Sequence, residues 1–428
     1  MDSRNFVISG WFRVAVQALV VIAEADGACS SSVIAQELKA HATFLRRVTV
    51  QLVSADIIVA REGRSGGYQL ALPPQHITLA QVYRAIQTVN LSEETAAAPR
   101  GNRVKAIQIH RYGDIDNLVY EEVPDPVLSA GEALIRVHAV GVNPADFRGR
   151  QGLAKSIWGP SPFPVILGYD ISGEVVEVSS GTTSFVPGDQ VYGMIRFPYI
   201  GKGYAEYIAA PLNEIARKPR SIDHQHTAAL PMPALTAWQA IFDKGQLQKG
   251  ETILIHGASG GVGHVAAQLA KWKGARVIGL ASERNADFLR HIGVDTVIDY
   301  MKQPLEAVVK EEEVDIVLYA VPTVIANTNS NLESSLRTLK RGGRLVSIAR
   351  NLDAELEQNK LFQNKEIQSF FFSVQSNASQ LVEIAQLVDS GALTAQLQTV
   401  IPLQEARKAH ELIETGHVRG KIVLQVTE

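Results

Sequence analysis

Cysteine is almost missing from this sequence: Cys29 is the single one in 428 residues. An intrachain disulfide is therefore impossible. A Cys-rich zinc site or a fully Cys-ligated iron–sulfur cluster cannot be built within one chain. No run of about 18 uninterrupted apolar residues occurs, so no transmembrane helix and no membrane partner are expected. The N-terminus carries Asp2 and lacks an Arg/Lys-led apolar leader, so a cytoplasmic, reducing compartment is expected. No internal repeat or low-complexity tract is visible, and the net charge is only −3. What is present is an ordinary globular composition, 46% hydrophobic and 20% charged, too apolar for a disordered chain. At ~150 residues per domain, the length suggests two to three domains.

The charge is uneven, +2 over residues 1–90 and −5 over the remainder. The stretch LSEETAAAPRGN (91–102) is polar, Ala-rich and ends in Pro and Gly, which reads as a linker. Before it, FRVAVQALVVIAEA (12–25), Ser31–Leu38, His41–Ser54 and Thr78–Val89 are helix candidates. Residues 57–72 show two apolar runs around a Gly/Arg-rich turn, a hairpin signal. Neighbouring helices followed by a hairpin are the parts of a winged helix, whose third helix enters a major groove of double-stranded DNA. The groove-facing candidates are His41, Thr43, Arg46, Arg47 and Thr49, and in the wing Arg61 and Arg64 beside Gly63, Gly66 and Gly67. The alternative is an ordinary solvated helix face, since +2 is a weak electrostatic footprint.

From Val104 to about Ala210, short Val/Ile-rich runs with Gly/Pro turns predict a β-rich unit. From about His226, strands and helices alternate, which predicts βαβ units and a parallel sheet, so the chain is α/β overall. Within that array, TILI (252–255) runs into HGASGGVGHVAAQLAKWKG (256–274). Ala258, Gly260 and Gly263 fill the G-x-G-x-x-G positions, with Gly261 and Val262 between them. Gly260 would let the backbone approach a pyrophosphate, and Gly263 would let helix and strand pack closely. The next strand ends in Ala281-Ser282-Glu283-Arg284-Asn285. With Ser282 at the tip, a small hydroxyl beside Arg284 suits a 2′-phosphate and favours NADP(H). A one-residue slip places Glu283 there and reverses the preference. Tyr300 ends the following strand and is a candidate for packing beside the adenosine ribose; a plain strand-end aromatic is the alternative.

Two resemblances extend these readings. Residues 4–90, through FRVAVQALVVIA, SSVIAQELKAHATFLRRVTVQLVSADII and REGRSGGYQLALPPQHITLAQVYRAI, resemble bacterial winged-helix repressors related to the iron–sulfur-cluster regulator and the nitrite-sensitive repressor. That resemblance implies dimeric DNA binding. The family's cluster cysteines follow the wing and are absent here, so no iron–sulfur cluster is expected. The family's long dimerisation helix is also missing, so dimerisation needs another source. Cys29 is expected to be an inert small apolar residue, with a thiol switch as the minority alternative.

Residues 104–428 resemble the medium-chain dehydrogenase/reductase superfamily, closest to its zinc-free quinone oxidoreductase branch. The motifs, in family order, are AVGVNPADFRGRQG (139–152), PVILGYDISGEVVEVSSGTTSFVPGDQVYG (164–193), GYAEYIA (203–209), AALPMPALTAWQAIF (228–242), the Gly-rich loop, LKRGGRLVSIA (339–349) and GHVRGKIVL (416–424). The resemblance implies a Rossmann-type parallel sheet inserted in a β-rich, GroES-like catalytic domain. The expected division is 1–90 winged helix, 91–102 linker, 103–225 catalytic domain, 226–365 NADP-binding domain and 366–428 return to the catalytic domain. It also implies a homodimer.

Zinc members carry Gly-His-Glu where this chain reads Gly168-Tyr169-Asp170, and they use cysteines that are absent here, so no zinc is expected. Direct hydride transfer from NADPH to a quinone, enone or other activated carbonyl is the implied reaction, with a ligand-gated transcriptional regulator of little turnover as the rival. The resemblance assigns Asn143 to the nicotinamide and the substrate oxygen, and Thr236 to the nicotinamide. Tyr169 is a candidate to polarise the acceptor or relay a proton, with packing an equal alternative. Asp146 is expected to hold the Asn143 loop. Arg148 falls where quinone oxidoreductases often have Tyr, and Tyr319-Ala320-Val321-Pro322-Thr323 departs from the family's Asp-x-Val-Gly-Gly. Phe370, Phe371 and Phe372 are expected as a buried apolar strand, with a wall of the substrate cleft as the alternative.

Overall fold

The computed structural model describes residues 10–25, 28–30, 33–34, 37–38, 42–61, 67–87, 103–159, 162–179, 184–321 and 328–427. The chain divides into two compact units, Met1–Thr95 and Ala96–Glu428.

In the first unit, helix α1 (Gly10–Glu24) buries Ala15, Ala18, Leu19 and Ile22, an i, i+3, i+4, i+7 stripe. Helix α2 (Ala42–Ser54) buries Leu45, Val48 and Leu52 on the same principle. Thr49 lies beside that stripe and is fully buried, which removes it from the groove-facing candidates. Strands β1 (Ile58–Arg61) and β2 (Gly67–Leu70) pair antiparallel, from Ile58↔Leu70 to Arg61↔Gly67. Helix α3 (Leu79–Gln87) starts with a capping box: the Gln81 side chain accepts from Thr78 N at 2.7 Å, and Thr78 Oγ1 accepts from Gln81 N at 3.2 Å. Cys29 is buried, and its backbone bridges to Tyr68 beside the wing. Burial pushes its thiol pKa up, so the thiolate is disfavoured.

The second unit opens with β3 (Arg103–Ile109), β4 (Val119–Pro124) and β5 (Glu132–Val142), then a short helix α4 (Pro144–Arg150). Strands β6 (Val165–Ile166), β7 (Asp170–Val178), β8 (Gln190–Met194), β9 (Tyr207–Pro211) and β10 (Ile215–Arg217) complete the β-rich part. After helix α5 (Pro231–Trp238), strand β11 (Thr252–His256), helix α6 (Gly261–Lys273) and strands β12 (Arg276–Leu280), β13 (Thr296–Ile298), β14 (Val314–Tyr319), β15 (Leu339–Ser347) and β16 (Gln368–Phe371) follow. The chain ends with β17 (Leu397–Pro402), α7 (Ala406–Glu414) and β18 (Lys421–Gln425).

Strands β11–β16 form one parallel sheet in the order β13-β12-β11-β14-β15-β16, the doubly wound Rossmann order. Every residue of β11 is buried, as expected of a strand covered on both faces. The order reverses beside β11, so the crevice at its carboxyl end is where a ligand belongs. The other large sheet runs β10-β8-β7-β5-β18-β17. Its β18 pairs antiparallel with β5, Ile422 opposite Val142. The Rossmann-type sheet is thus inserted into a GroES-like β domain, and the last strands return to that domain.

The segment Phe370–Phe372 differs from the expected buried strand. Strand β16 is the edge of its sheet, and Phe371 is 48% exposed. Phe370 and Phe372 pack against the core. Successive side chains point to opposite faces of a strand, so Phe371 faces away from the side on which Phe370 and Phe372 pack.

Candidate functional site

The site grows from the end of β5. Asn143 caps α4 in a capping box closed by Asp146, whose Oδ2 accepts from Asn143 N at 2.7 Å. Asp146 Oδ1 accepts from Gly168 N at 3.1 Å, so one buried carboxylate ties the Asn143 turn to the Gly168-Tyr169 loop. Burial pushes the Asp146 pKa up to about 7, against the opposing pull of the Asn143 backbone N–H and Lys421.

Asn143 is only 2% exposed. Its Nδ2 donates to Asp170 Oδ2 at 2.9 Å and to Gly141 O at 3.3 Å, and its Oδ1 accepts from Lys421 Nζ at 2.6 Å. Both amide hydrogens are therefore in use, and an acceptor carbonyl would displace Gly141 O, the longer contact. The other Asp170 oxygen accepts from Met232 N at 2.8 Å. Met232 lies in the first turn of α5, and its carbonyl accepts from Thr236 Oγ1 at 2.6 Å. Asn143, Asp170, Met232 and Thr236 form one continuous hydrogen-bonded line. Thr236 has spent its hydroxyl hydrogen and keeps oxygen lone pairs, which suits an amide N–H donor.

Lys421 closes this line. It is buried at the start of β18, donates to Val142 O at 2.5 Å, and lies 4.0 Å from Asp170 Oδ2. Burial lowers its pKa and raises that of Asp170 to about 6, and each charge offsets part of the shift of the other. Lys421 was not singled out from sequence, and Asp170 was noted there only as standing in place of the Glu of zinc members. The available signal was a lysine opening the otherwise apolar run KIVL within GHVRGKIVL.

Tyr169 is buried and packs edge-to-face on Phe197 at 5.1 Å. Burial, reinforced by the Asp146 charge, raises its pKa, so its phenol stays protonated and is a donor, not a base.

Gly260 caps α6 with no side-chain capping bond, leaving the first backbone N–H groups of the helix to a ligand. A Cβ on Gly260 would meet Gly257 O at 3.3 Å, a single tight contact, so glycine leaves the other side of the backbone clear for a ligand. A Cβ on Gly263 would lie 2.2 Å from Gly257 O and 2.8 Å from Ala258 Cα. Glycine at 263 therefore lets the helix sit on the loop. Ala258 is fully buried under the turn, Val262 packs on the core, and the Lys421 side chain runs past Gly261. These residues fit a dinucleotide pyrophosphate.

The strand-tip residues come together beyond β12. Asn285 Nδ2 donates to Ser259 Oγ at 3.0 Å and to Ser282 Oγ at 3.3 Å. Glu283 is exposed and ion-paired with Lys302. Arg284 is exposed and donates to His417 O at 3.2 Å. Tyr300 is 41% exposed. Helix α6 is also clamped to the returning segment: Gln268 Oε1 accepts from Thr394 N at 2.9 Å, and Gly420 N donates to Ser259 O at 2.9 Å. These bonds hold the Gly-rich loop against the strand that carries Lys421.

Of the wing and groove candidates, Arg61 is exposed at the end of β1. Thr43, Arg46 and Arg47 lie within α2, but their side chains are outside the described set; His41 and Arg64 lie outside the described residues, as do Pro322 and Thr323.

Residues 292–424 match the family described as zinc-binding dehydrogenase, and residues 129–220 match the alcohol dehydrogenase GroES-like domain. Residues 8–112 match the family described as iron-dependent transcriptional regulator. A mitochondrial NAD(P)H oxidoreductase of Danio rerio is 31% identical over 366 residues, covering 78% of this chain and 94% of the relative. A chloroplast envelope quinone oxidoreductase homolog of Arabidopsis thaliana is 30% identical, covering 76% of this chain and 99% of the relative. Among solved structures, the quinone oxidoreductase from Coxiella burnetii aligns with a TM-score of 0.69 at 35% identity, covering 76% of this chain and all of that one. The chain is an oxidoreductase belonging to the quinone oxidoreductase-like group of the medium-chain dehydrogenase/reductase family, joined at its N-terminus to a winged-helix module of the iron-dependent transcriptional regulator family.

Proposed function

We propose that this protein is an NADPH-dependent, zinc-independent reductase of quinones or other activated carbonyl compounds such as enones, fused to a DNA-binding module. The observation that carries the reading is the single buried line from Lys421 through Asn143 and Asp170 to Thr236, lying against the Gly-rich loop. The bound dinucleotide supplies a hydride. The chain's part is to bind and orient. Gly260 to Gly263 receive the pyrophosphate, Thr236 offers its lone pairs to the carboxamide, and Lys421 with Asp170 fixes the Asn143 amide. Tyr169 Oη keeps its proton and donates a hydrogen bond to an acceptor oxygen. The phenyl and indole groups around it exclude water.

Preference for NADPH is supported by Ser282 at the strand tip, by the nearby Arg284, and by Lys302, which neutralises Glu283. The donor set does not suit zinc. Tyr169 holds a neutral phenol, and the Asp170 carboxylate is committed to Asn143, Met232 and Lys421. The lone Cys29 likewise does not suit a cluster. Among the described residues β16 pairs with β15 alone, and this free edge beside the exposed Phe371 supports a homodimer.

The test is a screen of NADPH oxidation against quinones, enones and aldehydes, with NADH in parallel. Turnover with NADPH well above NADH is expected. No turnover, together with no quenching of NADPH fluorescence, refutes the reading. The match over residues 8–112 favours a second role, a transcriptional regulator gated by NADPH or quinone. Gel shifts with genomic operator fragments test it: binding that weakens steeply with salt and responds to NADPH or quinone is expected. Binding indifferent to both ligands removes the gating.

A further inference from the structure

The short segment between α7 and β18 leads into the GroES-like sheet, yet it crosses the Gly-rich loop on the way. Gly420 N donates to Ser259 O at 2.9 Å, which fixes the segment against that loop. Gly420 has a φ of +67°, and a Cβ there would lie 2.1 Å from Gln396 O, so the chain turns sharply at this residue. On one side of the turn, Lys421 reaches Asn143. On the other side, Arg419 reaches across to the nucleotide-binding part: its Cζ lies 5.7 Å from the centre of the Phe288 ring.

That ring places the guanidinium beside the tip of β12. Phe288 belongs to the short helix Ala286–His291, which starts directly after Asn285. The Asn285 amide is the group that joins Ser259 to Ser282. Phe288 also packs on the His264 ring at 6.3 Å, and His264 Nδ1 lies 2.9 Å from Gly260 O. Arg284 stands four residues before Phe288, the spacing that puts two side chains on one helical face. It crosses the same gap in the opposite direction and donates to His417 O at 3.2 Å.

The carboxylates around the tip are already engaged. Glu283 pairs with Lys302, and Asp287 pairs with Arg290. Asp299 accepts from the backbone N–H groups of Glu283 and Met301. Among the described residues, neither Arg284 nor Arg419 lies within ion-pair distance of a carboxylate. Two arginines from opposite sides of one gap thus carry positive charge with no protein anion between them. A guanidinium stacked on an aromatic ring keeps its in-plane N–H donors free, and that planar fork matches a phosphate.

We infer that Arg419, carried by the segment that returns to the GroES-like sheet, binds the 2′-phosphate of NADPH opposite Arg284 and so helps select NADPH over NADH. The inference rests on the dinucleotide reading above and deepens it. It adds a selecting residue more than 130 positions away from the strand tip, on the same turn that holds Lys421.

The experiment measures binding of NADPH and NADH by fluorescence titration, and of 2′,5′-ADP and 5′-AMP by competition with NADPH. It compares wild type, Arg419→Gln and Arg419→Lys. Arg419 is exposed, so all three should unfold at similar temperatures. Loss of one charge-assisted contact corresponds to about a tenfold change in affinity. Arg419→Gln should weaken NADPH and 2′,5′-ADP by about that factor and leave NADH and 5′-AMP unchanged, and Arg419→Lys should restore part of the loss. NADPH affinity unchanged in Arg419→Gln overturns the inference. Equal weakening of NADPH and NADH overturns it too and assigns the guanidinium to the pyrophosphate. Wild type that binds neither dinucleotide overturns the dinucleotide reading, and this inference with it.

Discussion

Gly260 and Gly263 stand three residues apart in one loop, and the structure separates what each does. A methyl group on Gly263 would be placed 2.2 Å from Gly257 O, 2.8 Å from Ala258 Cα and 2.9 Å from Gly257 C. All three are backbone atoms of a turn whose Gly257 already has a φ of +67°, so no side chain can swing aside. Helix α6 must lift away from the turn, and Val265, Ala266 and Leu269, fully or almost fully buried, lift with it. Overpacking of this kind costs about 1–3 kcal/mol. For a unit of this size that is a fall in Tm of several degrees. A methyl group on Gly260 meets one atom at 3.3 Å, and its φ of −78° is ordinary for alanine. Gly260→Ala should therefore lose less thermal stability than Gly263→Ala, while its methyl occupies the path of the pyrophosphate and weakens NADPH binding about tenfold. Differential scanning fluorimetry without ligand and titration of NADPH fluorescence measure the two quantities independently. If Gly263→Ala is as stable as wild type, or Gly260→Ala as unstable as Gly263→Ala, the assignment of packing to one glycine and ligand approach to the other is wrong.

Three further outcomes follow from buried groups. Lys421→Met leaves the Asp170 carboxylate without its cation and should cost about 3–5 kcal/mol in urea unfolding at pH 8, with much of it recovered by adding Asp170→Asn; a single variant within 1 kcal/mol of wild type, on the scale of surface changes, refutes the pairing. His410 is held neutral by burial and by the Arg150 charge, its pKa lowered to about 3 from 6.5. The unfolded chain then binds one more proton than the folded one, so stability is fully present above pH 6.5 and falls as pH drops towards 3, by about 1.4 kcal/mol per pH unit. His410→Gln should remove that one-proton slope between pH 6 and 4.5. The raised pKa values of Asp146 and Asp170 act in the opposite direction, but in both proteins, and cancel in the comparison. Parallel slopes would show that His410 titrates normally. Gly67→Ala places a Cβ 2.4 Å from Cys29 O and should destabilise the N-terminal unit by about 1–3 kcal/mol. NADPH oxidation should be unchanged; a variant with the wild-type N-terminal transition refutes the contact.

Much of this protein was legible in the order of its residues. Local signals sufficed wherever the controlling physics is local. The apolar run of α1, the helix that starts after Thr78 and the strand–glycine–helix sequence around Gly260 are each set within a few residues. The single cysteine likewise limits metal chemistry by count alone. The tertiary structure decided what depends on partners distant in sequence. Lys421 and Asn143 are 278 residues apart, and nothing near either one announces that they meet. Thr49 reads as a polar helix residue, yet packing buries it. Phe371 reads as core, yet the strand alternation that packs Phe370 and Phe372 inward turns it to solvent. Arg148 and Arg150 differ by two positions and look alike in sequence, yet α4 turns Arg150 into full burial against His410 and Glu414 and leaves Arg148 half-buried. Composition and spacing set which elements form, but the desolvation and pairing of each charge are fixed only when elements far apart in the chain are brought into contact.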